Sequence, residues 1–268
     1  MIPIKAIKAE LPRELQAIEL HTFADLHISD PMCDMKLINH RIAEVKDKKN
    51  AYIILNGDIC NWATKSSPSD MFGEQLKPME QIQKFVDLFS SVQDRIISIQ
   101  PGNHEMRSYR TEGIDITELA CREMGIADRY SRTASLIFLR VGEMTGGRKE
   151  SSGSGLFRQA CYTIYVLHGS GGGRKEGSKA VRLADMASIV DADIYIHSHT
   201  HLPMVMRQAF FRTDVNNSCV AKVDKLFVNT AATMGYGGYG ETFEYKPSST
   251  VTPVIYLSGT SKEMSAKL

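Results

Sequence analysis

The stretch Pro101-Gly102-Asn103-His104-Glu105 decides how the rest of this chain is read. It follows residues 94–100 (DRIISIQ), an isoleucine-rich run with the composition of a short strand. Gly102 permits a sharp exit from that strand. Asn103 and His104 then stand at the mouth of the strand, where open α/β sheets place their ligands. Four other predicted strands finish in the same way. Residues 17–24 run into Asp25-Leu26-His27, residues 51–55 into Asn56-Gly57-Asp58, residues 160–167 into His168-Gly169, and residues 193–196 into His197-Ser198-His199-Thr200-His201. A lone Gly-Asp after a strand is commonly just a turn, but five such endings in succession are not explained by turns. Of the eight histidines, only His21 and His40 lie outside these clusters.

The segments between the endings carry helical periodicity. Ile38, Ile42 and Val45 share one face of a helix over residues 35–46, and Ile82, Phe85, Val86 and Phe89 share another. Further helices are expected over residues 116–124 and 180–190, and further strands over 135–141, 204–211, 218–229 and 251–257. Residues 1–16 read as an arm or edge, and residues 61–78 as a loop. Strand–helix alternation with the doubly apolar run AYIIL at 51–55 argues for an α/β fold with parallel strands. No boundary divides the chain, so residues 1–268 are expected to form one domain. Its core spans about 17–231, and residues 232–268 add a loop and a strand that completes a sheet.

With 43% hydrophobic residues the 268-residue chain can bury a substantial core. A net charge of +1 excludes a polyanion binder that works by bulk charge alone. No segment approaches the roughly 18 apolar residues of a membrane helix, and no secretory signal is expected at the N-terminus. Five cysteines without a CxxC pair suggest free thiols in a reducing, cytoplasmic compartment.

Carboxylate, amide and imidazole together suit divalent transition ions. In an extended chain, residues two apart point the same way, so Asp25 and His27 can face one ion, as can His199 and His201. The full set is too large for one tetrahedral site and suits two ions about 3.5–4 Å apart that share a carboxylate.

Taken together, Asp25-Leu26-His27, Gly57-Asp58, Gly102-Asn103-His104-Glu105, His168-Gly169 and Ser198-His199-Thr200-His201 resemble the five ordered blocks of the calcineurin-like metallophosphoesterases. The resemblance implies a four-layer α-β-β-α sandwich, two packed β-sheets flanked by helices. It implies one ion on Asp25, His27, Asp58 and His201, and a second on Asp58, Asn103, His168 and His199. The ions are expected to be manganese, with iron, zinc or nickel as the family's alternatives. It implies hydrolysis of a phosphate ester by a metal-bridging hydroxide, with His104 as the catalytic histidine beside the leaving group. The last block begins with Ser198 where the family usually has glycine. His197 with His199 is a competing ligand pair, and the following Leu202-Pro203 favours His199 with His201. Some members carry an aspartate three residues past the second block that orients the catalytic histidine; here Asn61 stands there, leaving the orienting group open.

The expected substrate is a phosphodiester, a nucleotide or a nucleic-acid strand, with a nuclease among the possibilities. A phosphomonoesterase is the alternative within the same chemistry, and a non-catalytic scaffold the alternative outside it. Residues 145–182 carry seven basic residues, Arg148, Lys149, Arg158, Arg174, Lys175, Lys179 and Arg182, against two acidic ones, Glu150 and Glu176. Both glycine-rich loops of the stretch, 145–155 and 170–177, could cradle an anion. Arg107, Arg110, Arg174 and Lys175 are the candidate substrate contacts. Trp62 and the Gly/Tyr-rich segment 234–245 are expected near the cleft, the latter as a surface that stacks a nucleobase. No membrane partner is expected, and nothing fixes the oligomeric state.

Overall fold

A computed structural model describes residues 4–268 apart from 66, 148, 151, 152, 154 and 172, and all of their side chains except that of residue 239. Arg148 of the basic stretch thus lies outside the described residues. Eleven strands form two mixed sheets among the described residues. β2 (Ala17–Phe23), β3 (Ala51–Asn56) and β4 (Ile96–Gln100) run parallel in a five-stranded sheet, and β10 (Val254–Ser258) and β11 (Met264–Lys267) close its other edge antiparallel. The second sheet has six strands in the order β1 (Lys5–Glu10), β5 (Ala134–Val141), β6 (Ala160–Leu167), β7 (Ile194–His197), β9 (Cys219–Asn229) and β8 (Met204–Asp214).

Alternation of side chains sorts the core into three layers. Leu20, Ile54 and Ile97 of the first sheet meet Ile137, Ile164, Ile196 and Val228 of the second in a shared interior. Phe23, Ile53, Leu55 and Ile99 point the other way. They are covered by the apolar faces of α1 (Met35–Asp47), α2 (Pro78–Ser90) and α4 (Ile116–Glu123). Helix α5 (Glu176–Asp185) covers the outer face of the second sheet, where Leu183 and, just past its end, Met186 join Tyr165, Tyr195 and Phe227. The doubly apolar reading of residues 51–55 thus has its cause: β3 is central, with helices on one face and a sheet on the other. The fold is the expected α/β architecture, two mixed sheets flanked by helices.

Several details differ from the sequence reading. α5 begins at Glu176 rather than 180 and includes Gly177, because the helix starts inside what composition marks as a loop; it gives way to a short 3₁₀ turn, Met186–Ser188. α3 (Met106–Glu112), ended by Gly113 at φ 73°, follows directly on His104, and the five-residue α6 (Gly238–Thr242) lies in the Gly/Tyr-rich segment. The C-terminal region supplies two strands instead of one. The edge expected at the N-terminus is β1, paired parallel with β5. The five cysteines form no disulfide. Among the described residues, no helix is long and apolar enough to cross a membrane.

Parallel pairing sets where the functional side chains gather. β2, β3 and β4 end at one rim, and β6, β7 and β9, parallel to one another, end at the same rim of the second sheet. Here Asn56 at the end of β3 donates to the Leu167 carbonyl at the end of β6 at 3.1 Å. The loop 142–158 joins β5 to antiparallel β6 at the opposite end of the sheet. Of the basic residues in that connection, Lys149 and Arg158 are therefore turned away from that rim.

Candidate metal centre

All five predicted endings meet at this rim. Asp25, His27 and His201 form one group whose potential ligand atoms lie within 4.8 Å of one another. Asp58, His168 and His199 form a second, and His27, Asp58 and His104 a third between them. Nε2 of His201 is 3.3 Å from Asp25 Oδ1, and Nε2 of His168 is 3.3 Å from Asp58 Oδ2. Asn103 lines the cleft beside His104.

The mechanism of convergence differs from the extended geometry expected. The strands stop before the functional residues, and Asp25 (φ 51°), His27 (φ 49°), Asp58 (φ 51°), His199 (φ 65°) and His201 (φ 55°) all adopt left-handed backbone. Such conformations cost of order 1–3 kcal/mol each for residues with a Cβ and persist only where surroundings enforce them. Here the enforcing contacts are visible. Asp25 Oδ2 accepts the His199 N–H at 3.0 Å, and Asp58 Oδ1 accepts the His104 N–H at 2.9 Å. The approach is so close that a Cβ on Gly102 would lie 2.0 Å from Asp58 Oδ1.

Glu105, to which sequence gave no task, ties the loops together. Fully buried, it accepts the backbone N–H groups of Asp58 (3.0 Å), Cys60 (2.8 Å) and Gly102 (2.8 Å). Burial, then the Asp58 charge, push its carboxyl up to about 7 against those donors. Glu105→Ala strands three buried donors and is expected to lower the unfolding free energy by about 3 kcal/mol or more. Urea denaturation checks this, with Glu105→Gln, which keeps one acceptor oxygen, falling in between.

Asn56 holds the opposite side. Its amide donates to Ser198 Oγ at 2.7 Å, which gives the serine at the head of the last block a task glycine could not perform. Asn229, at the end of β9, donates to Thr200 Oγ1 (2.8 Å) and to the Leu202 carbonyl (2.5 Å). Its Oδ1 lies 2.8 Å from Nδ1 of His197. His197 is thus buried at the end of β7 and stands outside the three groups; His201 is the one beside Asp25.

What orients His104 is a backbone group. Its Nδ1 lies 2.5 Å from the carbonyl oxygen of Asn61, and Nε2 lies 3.8 Å from Asp58 Oδ2. The Asn61 side chain bonds away from the site, to Glu74, which also accepts the Ala63 N–H. The group that holds the His104 ring is thus the Asn61 main chain and not its side chain.

Electrostatically the rim is built for cations. Asp25 and Asp58 are 0% and 1% exposed. Burial alone would raise both carboxyls; the His201 charge holds Asp25 below its usual range, and His104 and His168 hold Asp58 well below it. Burial would lower His168, but Asp58 outweighs it and lifts the imidazole to about 10. Burial, then the His104 charge, depress His27. Both ring nitrogens of His27 and Asn103 Oδ1 are buried without a hydrogen-bond partner, and Asp25 Oδ1 and His168 Nε2 have only the 3.3 Å ion-pair approaches of His201 and Asp58. Unpaired buried polar atoms are expensive, and these are of the oxygen and imidazole type that divalent ions accept. The residues present therefore fit a metal centre.

Above the rim lies a cleft of about 1230 Å³. Arg107 lines it, with its guanidinium donating to the Asn61 and Trp62 carbonyls at 3.2 and 3.1 Å, and Arg174 lines it from the second glycine-rich loop. Arg110 and Lys175 are exposed and do not line it. Trp62 does not line the cleft: its side chain packs against the helix-covered core and its carbonyl accepts from Arg107. Lys179, part of the basic stretch but not among the four candidate contacts, lines it with Lys246, as do Met234, Tyr236 and Tyr245 of the Gly/Tyr-rich segment.

Two packed sheets with acidic and imidazole side chains crowded at their common carboxyl rim are the architecture of metal-centred phosphoesterases. The sequence matches the calcineurin-like phosphoesterase family over residues 23–203, and the chain belongs to that family. No curated protein matches it. Among solved structures it is similar to Vacuolar Protein Sorting 29 from Cryptosporidium parvum, at 12% identity and a TM-score of 0.43, covering 94% of this chain and 96% of that one. It is also similar to the wild-type sorting protein of the same designation from Entamoeba histolytica, complexed with zinc, at 10% identity, TM-score 0.40, and 93% and 97% coverage. A metallophosphoesterase from Sphaerobacter thermophilus has 11% identity, TM-score 0.39, and 90% and 84% coverage.

Proposed function

We propose that this protein is a two-metal phosphoesterase that hydrolyses a phosphodiester, a nucleotide or a nucleic-acid strand. The observation that carries the reading is the set of buried, unpartnered donor atoms at the rim. Asp25, His27, Asp58 and His201 would hold one ion, and Asp58, Asn103, His168 and His199 the other, with Asp58 shared. The mixed imidazole, carboxylate and amide set suits manganese, and equally iron, zinc or nickel. Such a pair of ions, when bound, neutralises phosphoryl oxygens and lowers the pKa of a water to about 7.

The remaining chemistry belongs to the chain. The Asn61 carbonyl fixes the His104 ring and leaves Nε2 facing the cleft, where it can hold a proton at the leaving oxygen. Arg107, braced by two carbonyls, presents its positive charge to a phosphoryl group beside it. Arg174 and Lys179 carry basic groups further along the lining, where Lys246 is paired with Glu176 and Glu244 also stands, which favours a substrate with a second polar arm. The unpaired cysteines accord with work in the cytoplasm.

Bis-p-nitrophenyl phosphate and p-nitrophenyl phosphate, assayed with manganese, test the preference. A kcat/KM at least about tenfold higher for the diester, 1.4 kcal/mol of transition-state discrimination, is expected. The reverse ratio would make the protein a phosphomonoesterase.

A further inference from the structure

The metal rim occupies only the inner part of the cleft. The rest of its lining comes from Gly171, Gly173, Arg174 and Lys179 after His168, and from Met234, Tyr236, Tyr245 and Lys246 after β9. We propose that this part of the cleft binds a nucleoside arm of the substrate, its base stacked on Tyr236 and its polar groups held by Arg174 and Lys246. The proposal rests on the two-metal phosphoesterase reading of the inner part and narrows its substrate class.

Size is the first reason. Pockets that enclose a drug-sized ligand measure about 300–1000 Å³, and this cleft of about 1230 Å³ far exceeds the needs of a lone phosphoryl group. The second reason is construction. Segment 232–249 is tied to the metal loops at its start: Thr233 donates to the Asp25 carbonyl at 3.0 Å and Gly235 to the Met32 carbonyl at 2.8 Å. At its far end it is tied to α5, where Lys246 pairs with Glu176 at 2.7 Å and the Arg174 guanidinium lies 5.4 Å from the Tyr245 ring centre. Lys179 of the same helix donates to the Thr200 carbonyl at 2.8 Å, between His199 and His201. Both segments of this lining are therefore referenced to the metal centre rather than hung independently over it.

The third reason is chemistry. Tyr236 lines the cleft yet is 53% exposed, a planar aromatic surface open to a ligand. Aromatic rings beside arginine and lysine are the combination that stacks a base and holds its phosphate or sugar. An aliphatic arm, such as glycerol, would find no use for the ring.

The test compares three p-nitrophenyl diesters that share one leaving group and differ in the second arm: thymidine 5′, glycerol and methyl. The wild-type kcat/KM is expected to favour the thymidine ester over the methyl ester by about tenfold or more, the lower range of what stacking one base contributes. Tyr236→Ala should erase most of that ratio through KM, Tyr236→Phe should keep it, and Arg174→Ala should reduce it. An unchanged ratio in Tyr236→Ala, or a glycerol ester preferred over the thymidine ester, overturns the inference while leaving the phosphoesterase reading intact. Hydrolysis of none of the three with manganese overturns both.

Discussion

Asp58→Asn is expected to empty both metal positions together and to lower kcat/KM by about 10³-fold or more, the several kcal/mol that metal ions contribute to a phosphoryl transition state. Asp58 belongs to two of the three ligand groups, and its Oδ2 faces both His168 and His104. His27 also belongs to two of the groups, but among the described residues only Asp58 links them to the group of His168 and His199. The substitution is close to isosteric, and an asparagine oxygen can still accept the His104 N–H that Oδ1 accepts at 2.9 Å. The loss should therefore appear in metal content and turnover, not in the unfolding transition. Elemental analysis beside steady-state kinetics measures it. A variant that retains two ions and wild-type turnover would remove Asp58 from the centre.

His104→Ala is expected to keep the metal content and lose about 10²–10⁴-fold in turnover, the range of positioned acid–base groups. Nδ1 is committed to the Asn61 carbonyl, which leaves Nε2 as the one ring atom that can serve the leaving oxygen. The loss should be greatest for an alkoxide leaving group and smallest for p-nitrophenolate, which departs without a proton. Equal losses on both would assign His104 to substrate binding instead.

The fold was legible because each of the five blocks ends a strand, and parallel strands deliver their ends to one rim. Periodicity found α1, α2 and α4, whose apolar faces are continuous. It placed the start of α5 late because Gly177 sits inside the helix and looks like loop. It missed β11, a four-residue edge strand whose only pattern is Met264 and Ala266 turned toward the core.

The rim residues were legible by type, but the way they meet was not. Nothing in Asp-x-His announces that both residues take left-handed backbone, because that conformation is imposed by the Asp25–His199 and Asp58–His104 bonds between distant loops. Backbone acceptors are equally silent in sequence, so the Asn61 carbonyl that orients His104 could not be read. Glu105 and Asn229 act through hydrogen bonds to main chain and to histidine, with no spacing that betrays it. Among the basic residues, composition cannot tell Lys175, exposed at the N-cap of α5, from Lys179, four residues on, within the helix and in the cleft.

Elemental analysis of the wild-type protein, purified without chelator, saturated with manganese and desalted, tests the centre most directly. Two divalent ions per chain are predicted. Fewer than one ion, with no uptake on titration with manganese, iron, zinc or nickel, would contradict the account at its root.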